Sequence, residues 1–167
     1  GARGVALWKL WGAMGLPNIA IGDLGNEIGM GTIADHSKKD VPCTDKGECQ
    51  CGGGGGILSA TEADNIITAT GSDWGCYGLM AALAYLKKNM DILHREEMES
   101  EVMRVLSRNG MIDMTGSLLP GVDGFDTRMN VGIVSMMRQC TAYAVRYSHN
   151  SDHWFGPVLA KKFFEQA

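Results

Sequence analysis

Asp23, Asn26 and Glu27 fall within one short stretch, IAIGDLGNEIGMG at residues 19–31. Each carries a group that can do chemistry. The two carboxylates can take up a proton, hold an ammonium group or ligate a divalent cation. The Asn26 amide both donates and accepts hydrogen bonds. Gly22, Gly25, Gly29 and Gly31 lie around them, so backbone and ligand can approach closely. A phosphate cradle, a metal site, an amino-acid site and a tight turn are the readings to separate. A P-loop would close on Gly-Lys-Ser/Thr, and none follows. The glycines also miss the G-x-G-x-x-G spacing, and the acids would face a pyrophosphate. A cation, an ammonium group or proton transfer suits Asp23 and Glu27 better. A glycine-rich turn with its acids in solvent is the plain alternative.

A second polar stretch, Gly71-Ser-Asp-Trp-Gly75, precedes the apolar run CYGLMAALAYLKK at 76–88. Ser72 or Asp73 can cap the helix that this run predicts. The same geometry serves a ligand, because N–H groups at a helix start, here near Gly75, receive a carboxylate well. Trp74 can wall such a pocket or pack in the core. Ser72 lacks a G-x-S-x-G context, and no His has a recognisable partner position, so a nucleophile role is weak. A third stretch, GMIDMTGSLLPGVDGFD at 110–126, sets Asp113 and Asp123 among glycines. That suits a loop beside a cleft and an ordinary turn equally. Cys43, Cys49 and Cys51 follow C-x5-C-x-C, not the paired C-x2-C of a structural zinc site. Nothing fixes His36 as a fourth ligand. His94 reads as a helix-start residue, and His149 and His153 as exposed.

These loops need elements to hold them. Val5, Leu7, Trp8, Leu10, Trp11 and Met14 predict an amphipathic helix over 3–15, stopped by Gly15 and Pro17. Residues 18–22 predict a short buried strand that runs directly into the first loop. Residues 64–70 (DNIITAT) predict a second, which stops at Gly71. The stretch 35–56, rich in Gly, Lys and Asp and ending in five glycines, reads as a flexible insert. Helices are predicted over 76–88, over 94–108 with Met98, Val102, Val105 and Leu106 inward, and over 127–147 with Val131, Val134, Met137 and Val145 inward. A last helix is predicted in PVLAKKFFEQA. The expectation is a single α/β domain over 1–167 with a mainly parallel sheet flanked by helices. In such sheets ligands bind beyond the carboxyl ends of the strands, where both the first and second motifs fall. Two strands are too few to stand alone, so further strands are expected, missed here or contributed by an N-terminal portion.

Composition sets the outer limits. At 167 residues the chain is long enough for one real core. A net charge of −4 without a basic cluster argues against nucleic acid. No apolar run reaches the roughly 20 residues that span a bilayer. The first residues lack the apolar core of a secretory signal and an initiator Met, as in a processed form or fragment. Five cysteines, an odd number, argue against a closed disulfide framework and for a reducing compartment.

The three motifs together resemble a known family. GDLGNEIGMG is similar to the G-D-G-G-N-E-x-G-M-G signature of the D-glutamate cyclase C-terminal domain. TGSDWGCYGLMAALA resembles that family's S-N-W-G-x-Y helix start, and GMIDMTGSLLPGVDGF its G-x-V-D-G-V-T-G…V-D-G-L segment. The motifs occur in the family's order and cover roughly residues 18–135. Leu24 stands where the family has Gly, Asp73 where it has Asn, and Met114 departs in the third.

The resemblance implies a lyase that converts D-glutamate to 5-oxo-D-proline and water, in the mitochondrial matrix if the source is animal and otherwise in the cytoplasm. It implies Asp23 and Glu27 as catalytic carboxylates, with a divalent cation between them as one way to activate the substrate. It implies Gly25, Asn26, Ser72, Asp73, Trp74, Gly75 and Asp123 as holders of an acidic amino acid. The family's domain also has an N-terminal portion with further strands that is not found here, so the chain reads as that domain or its C-terminal part, and a homo-oligomer is a further expectation. Two other functions stay open: a non-catalytic module that binds a small acidic metabolite with the same loops, and a metal or redox protein centred on the cysteine insert.

Overall fold

Asn18 and Asp64 hold the starts of two strands together. The Asn18 N–H donates to Asp64 Oδ2 (2.9 Å) and the Asp64 N–H to Asn18 Oδ1 (3.0 Å). From there β1 (Ile19–Gly22) and β2 (Asn65–Thr68) run parallel, with Ile19 beside Asn65 and Gly22 beside Thr68. The ladder continues one step further through the Ala69 N–H, which donates to the Gly22 carbonyl. Both strands therefore end together, and the loops that follow them emerge side by side.

The computed structural model describes residues 2–41, 44, 56–113, 115–147, 156 and 160. Cys43, Cys49, Cys51, Met114, His149, His153 and the helix predicted in the last eleven residues lie outside them, apart from residue 160. The chain divides into two compact units, Gly1–Cys76 and Tyr77–Ala167.

The first unit contains α1 (Ala2–Ala13), β1, α2 (Ala34–Asp40), β2 and the first residues of α3 (Ser72–Lys87). α1 lies against the first loop through one side. A β-carbon at Gly4 would meet Ile28 and one at Gly29 would meet the Trp8 ring, while Trp8 Nε1 donates to the Glu62 carbonyl. Gly15, at φ +67°, ends the helix region in the left-handed conformation that glycine favours. Leu7, Leu10, Trp11 and Met14 face outward instead of sharing one buried face. The start of the predicted insert is ordered: a 3-10 turn at Gly31–Ile33 leads into α2.

The second unit contains the rest of α3, a 3-10 turn at Met90–Ile92, α4 (Glu96–Arg108), β3 (Gly121–Val122), β4 (Phe125–Asp126) and α5 (Thr127–Tyr147). Its core is built from Tyr77, Ala84, Leu93, Met103 and Val134. β3 and β4 form an antiparallel hairpin. Its turn residues, Asp123 and Gly124, both have positive φ (53° and 82°), the Asp-Gly pattern of a type I′ turn. Asp113 braces the hairpin by accepting from the Gly124 N–H (2.8 Å).

The predicted face of α4 turns out differently, whereas that of α5 is met in part. On α4 the buried residues are Glu99 and Met103, whereas Met98, Val102, Val105 and Leu106 are exposed. On α5 they are Asn130, Val134 and Thr141, with Val131, Met137 and Val145 half-buried. Asn130 is drawn in because its amide donates to the carbonyls of Phe125 and Asp126. α3 begins at Ser72, four residues before the predicted start, because Gly71 accepts the N–H groups of Trp74 and Gly75. The architecture is mixed α/β, and parallel pairing is confined to β1 and β2 among the described residues.

The double variant Asn18→Ala/Asp64→Ala removes both side-chain acceptors of the strand clamp. It should cost about 1–2 kcal/mol in urea unfolding, and an unchanged midpoint would show that the clamp is idle. Asp126 caps α5 by accepting from the Met129 N–H (2.9 Å), and this bond, with Arg128 beside it, holds its carboxyl below the usual aspartate value. A lowered folded-state pKa gives stability that is present above the unfolded value and lost as pH falls through the folded one. Asp126→Ala should therefore unfold more easily at neutral pH, and its gap to wild type should close on acidification.

Candidate functional site

The site is built at the carboxyl end of β1. Gly22 is the last residue of that strand, and a β-carbon there would stand 2.5 Å from Glu27 Cδ. Absence of a side chain at 22 is thus what lets the Glu27 carboxylate fold back over the strand end. Glu27 Oε1 accepts from the Ser72 hydroxyl (3.0 Å) and more loosely from the Asp23 N–H (3.4 Å). Ser72 is the first residue of α3, so this bond joins the loop after β1 to the loop after β2.

Asn26 lies between the two carboxylates. We assign its amide with the nitrogen toward them, so that it donates to Glu27 Oε2 (3.2 Å) and to Asp23 Oδ1 (3.1 Å). The opposite orientation would set an amide oxygen against two acceptors, which is repulsive. Asp23 Oδ1 also accepts from the Leu24 N–H. Asp23 Oδ2 has no hydrogen-bond partner among the described residues. Asp23 and Glu27 are both half-buried, so the pair remains open to a small molecule.

The loop's shape is fixed from the segment before β2. The Ser59 N–H donates to the Gly25 carbonyl (2.7 Å), and the Gly31 N–H to the Thr61 carbonyl (2.9 Å). The Gly29 N–H donates to Thr61 Oγ1 (2.8 Å). Gly25 and Gly29 have φ of +96° and +92°, backbone that side chains strain to adopt. At Gly31 a β-carbon would press on the carbonyls of Ser59 and Thr61 at 2.6 Å. Sequence reasoning misses Ser59 and Thr61. Nothing in ILSATEA sets it apart from an ordinary linker until its partners are known.

Most of the predicted residues meet at one strand end: Asp23, Gly25, Asn26, Glu27 and Ser72. Asp73 and Trp74 follow Ser72 on the first turn of α3. Gly75 lies in the same turn, but its N–H donates to the Gly71 carbonyl (3.3 Å), and a β-carbon on it would stand 2.5 Å from Ile21 Cγ2. It is where the helix approaches β1 most closely. Leu24, at the position of the family's glycine, is exposed and leaves the loop interior clear. Asp123 belongs to the second unit, in the hairpin turn beside a cleft of roughly 200 Å³ lined by Asp113, Thr115, Ser117 and Asp126 among others.

Asp23 and Glu27 do not form a ready cation site. Three of their four oxygens are already hydrogen-bonded. Among the described residues no third His, Cys, Asp or Glu converges on them. A divalent cation would require the Asn26 amide to turn over, which would bring its oxygen in as a further ligand beside the two carboxylates.

The charge around Ser72 extends to a thiol. Cys76 is exposed, but the protein packed around its sulfur, and then the Asp73 carboxylate, push its pKa up. A raised pKa means less thiolate, hence a weak nucleophile at neutral pH.

Comparison with known proteins adds one positive finding. The profile of the family described as D-glutamate cyclase-like, C-terminal, matches residues 7–138. No curated protein matches the chain.

Asp73→Asn removes the nearby negative charge and should speed alkylation of Cys76 by iodoacetamide about two- to threefold at neutral pH. Peptide mass spectrometry with Cys140 as internal reference reads this out. An unchanged rate would mean that Asp73 does not act on the thiol.

Proposed function

The chain belongs to the D-glutamate cyclase-like C-terminal family, and from that premise we propose that it is a lyase closing D-glutamate to 5-oxo-D-proline and water. In that reaction the amine nitrogen attacks the side-chain carboxyl carbon. A C–N bond forms, a C–O bond breaks, and the oxygen leaves as water, its two protons balancing the two that the nitrogen loses in passing from ammonium to ring amide. The amine arrives as an ammonium group and must lose a proton before it has a lone pair. The carboxylate resists attack until it is protonated or strongly hydrogen-bonded.

Asp23 is assigned the ammonium proton, because its Oδ2 is the carboxylate oxygen of the pair left without a donor among the described residues. Glu27 holds the ammonium by charge, itself fixed by Ser72. Asn26 sets the spacing between the two acids. The backbone at the start of α3 is assigned to a substrate carboxylate, the positive end of the helix dipole there working against the charge of the Asp73 side chain. The observation that carries this reading is the Ser72–Glu27 hydrogen bond, which unites two glycine-rich loops at the ends of parallel strands.

A second reading rests on Glu27, whose two oxygens both already have donors. A loop so well satisfied suits a module that binds an acidic amino acid and leaves it unchanged.

Incubation with D-glutamate, followed by NMR, should show 5-oxoproline accumulating. Glu27→Gln removes the charge that holds the ammonium and should lower kcat/KM about 10- to 100-fold with an unchanged circular dichroism spectrum. Full turnover in that variant would sink the assignment of Glu27. Binding of D-glutamate by the wild type without any product would favour the second reading.

A further inference from the structure

Helix α4 is rolled the wrong way for a simple amphipathic helix, and its roll is fixed. The buried Glu99 accepts from the Tyr77 hydroxyl (2.6 Å) and meets His94 Nε2 at 2.9 Å. Arg138 of α5 secures the segment just before the helix by donating to the carbonyls of Leu93 (3.0 Å) and His94 (3.2 Å). It also pairs with Glu96. With Glu99 and Met103 inward, the apolar stripe Met98, Val102, Val105 and Leu106 is left outside, 37–56% exposed. Nothing in the local sequence requires four such residues on a solvated face.

The charges beside that stripe say what covers it. Glu97, Glu101, Arg104 and Arg108 are spaced four, three and four apart, so they line one flank of the stripe. The flank is acidic in its first half and basic in its second. When two identical helices pair antiparallel, each flank meets the same flank of its partner in reverse order. Glu97 then faces the second copy's Arg108, and Glu101 faces its Arg104. Both pairings share one centre, between residues 102 and 103, and the apolar stripe spans that centre. A parallel pair would bring opposite flanks together and leave this charge pattern unused.

We propose that α4 is the interface of a two-fold symmetric homodimer, joined antiparallel through Met98, Val102, Val105 and Leu106 and matched by Glu97–Arg108 and Glu101–Arg104 pairs across the axis. In the isolated chain Arg104 pairs with its own Glu101; in the dimer that pair is extended into a four-residue network at the centre. One short helix from each copy is a contact smaller than the roughly 800 Å² per partner of a standard interface, so the dissociation constant is expected at about 10–100 µM.

Sedimentation velocity of the full chain and of two charge variants tests this. Glu97→Arg/Glu101→Arg makes the flank wholly basic, and Arg104→Glu/Arg108→Glu makes it wholly acidic. Each alone should dimerise at least about tenfold more weakly than wild type, and an equimolar mixture should recover a heterodimer. All these side chains are at least partly exposed, and circular dichroism verifies the fold. Three results would overturn the proposal: a wild type that stays monomeric about tenfold above the expected constant, variants that self-associate as well as wild type, or a mixture that fails to associate.

Discussion

A carboxylate occupies the space that a side chain at residue 22 would fill, and the first unit is arranged around that fact. Gly22 ends β1 without a Cβ, Glu27 turns back over it, and the Ser72 hydroxyl reaches Glu27 from the start of α3. A larger residue at 22 would push Glu27 away and take with it the Asn26 bridge to Asp23. The Asn18–Asp64 clamp matters for the same reason. It sets the parallel register, and the register decides that the two loops leave the sheet side by side. Local geometry at one glycine and pairing across 46 residues thus contribute to a single cluster of polar atoms.

Electrostatics gives that cluster its character. Two carboxylates and Asp73 make it negative, so an ammonium group is welcome there and a phosphate is not. The Asn26 amide makes the closeness of the acids tolerable, since it donates to both. The same donors that stabilise the pair also occupy it, which is why a divalent metal ion fits poorly without rearrangement. Asp73 extends the negative field far enough to disfavour the thiolate of Cys76.

The second unit shows a polar group overriding a hydrophobic pattern. Burial of Glu99 is tolerated because Tyr77 and His94 satisfy its oxygens. Once it is inward, Met98, Val102 and Val105 are left outward, because they lie roughly 60–120° around the axis from Glu99, while Leu106, nearly in line with Glu99, is the least exposed of the four. The apolar spacing over 94–108 is enough to specify a helix. Which way that helix faces depends on His94 and Tyr77, residues 5 and 22 positions away from Glu99. Asp123 is the reverse case: the Asp-Gly pair is a local turn signal, and the hairpin forms where it stands.

Much of the scaffold is written in short-range signals. Both strands of the parallel pair, the helices from residue 2, 72, 96 and 127, and the acid–amide–acid loop follow from periodicity, β-branching, glycine placement and turn chemistry, all of which act over a few residues. The helix at 34–40 is hidden by a polar, insert-like composition. The earlier start of α3 is hidden because capping by the Gly71 carbonyl leaves no side-chain mark. Ser59 and Thr61 are invisible because their role lies in hydrogen bonds to glycines about thirty residues away. The sequence by itself determined which elements form and which residues carry chemistry, since those depend on local conformational preference. Only the tertiary structure decided which face of α4 is buried, which donors reach Glu27 and which oxygen is left for a ligand, because long-range burial and hydrogen-bond satisfaction set those outcomes.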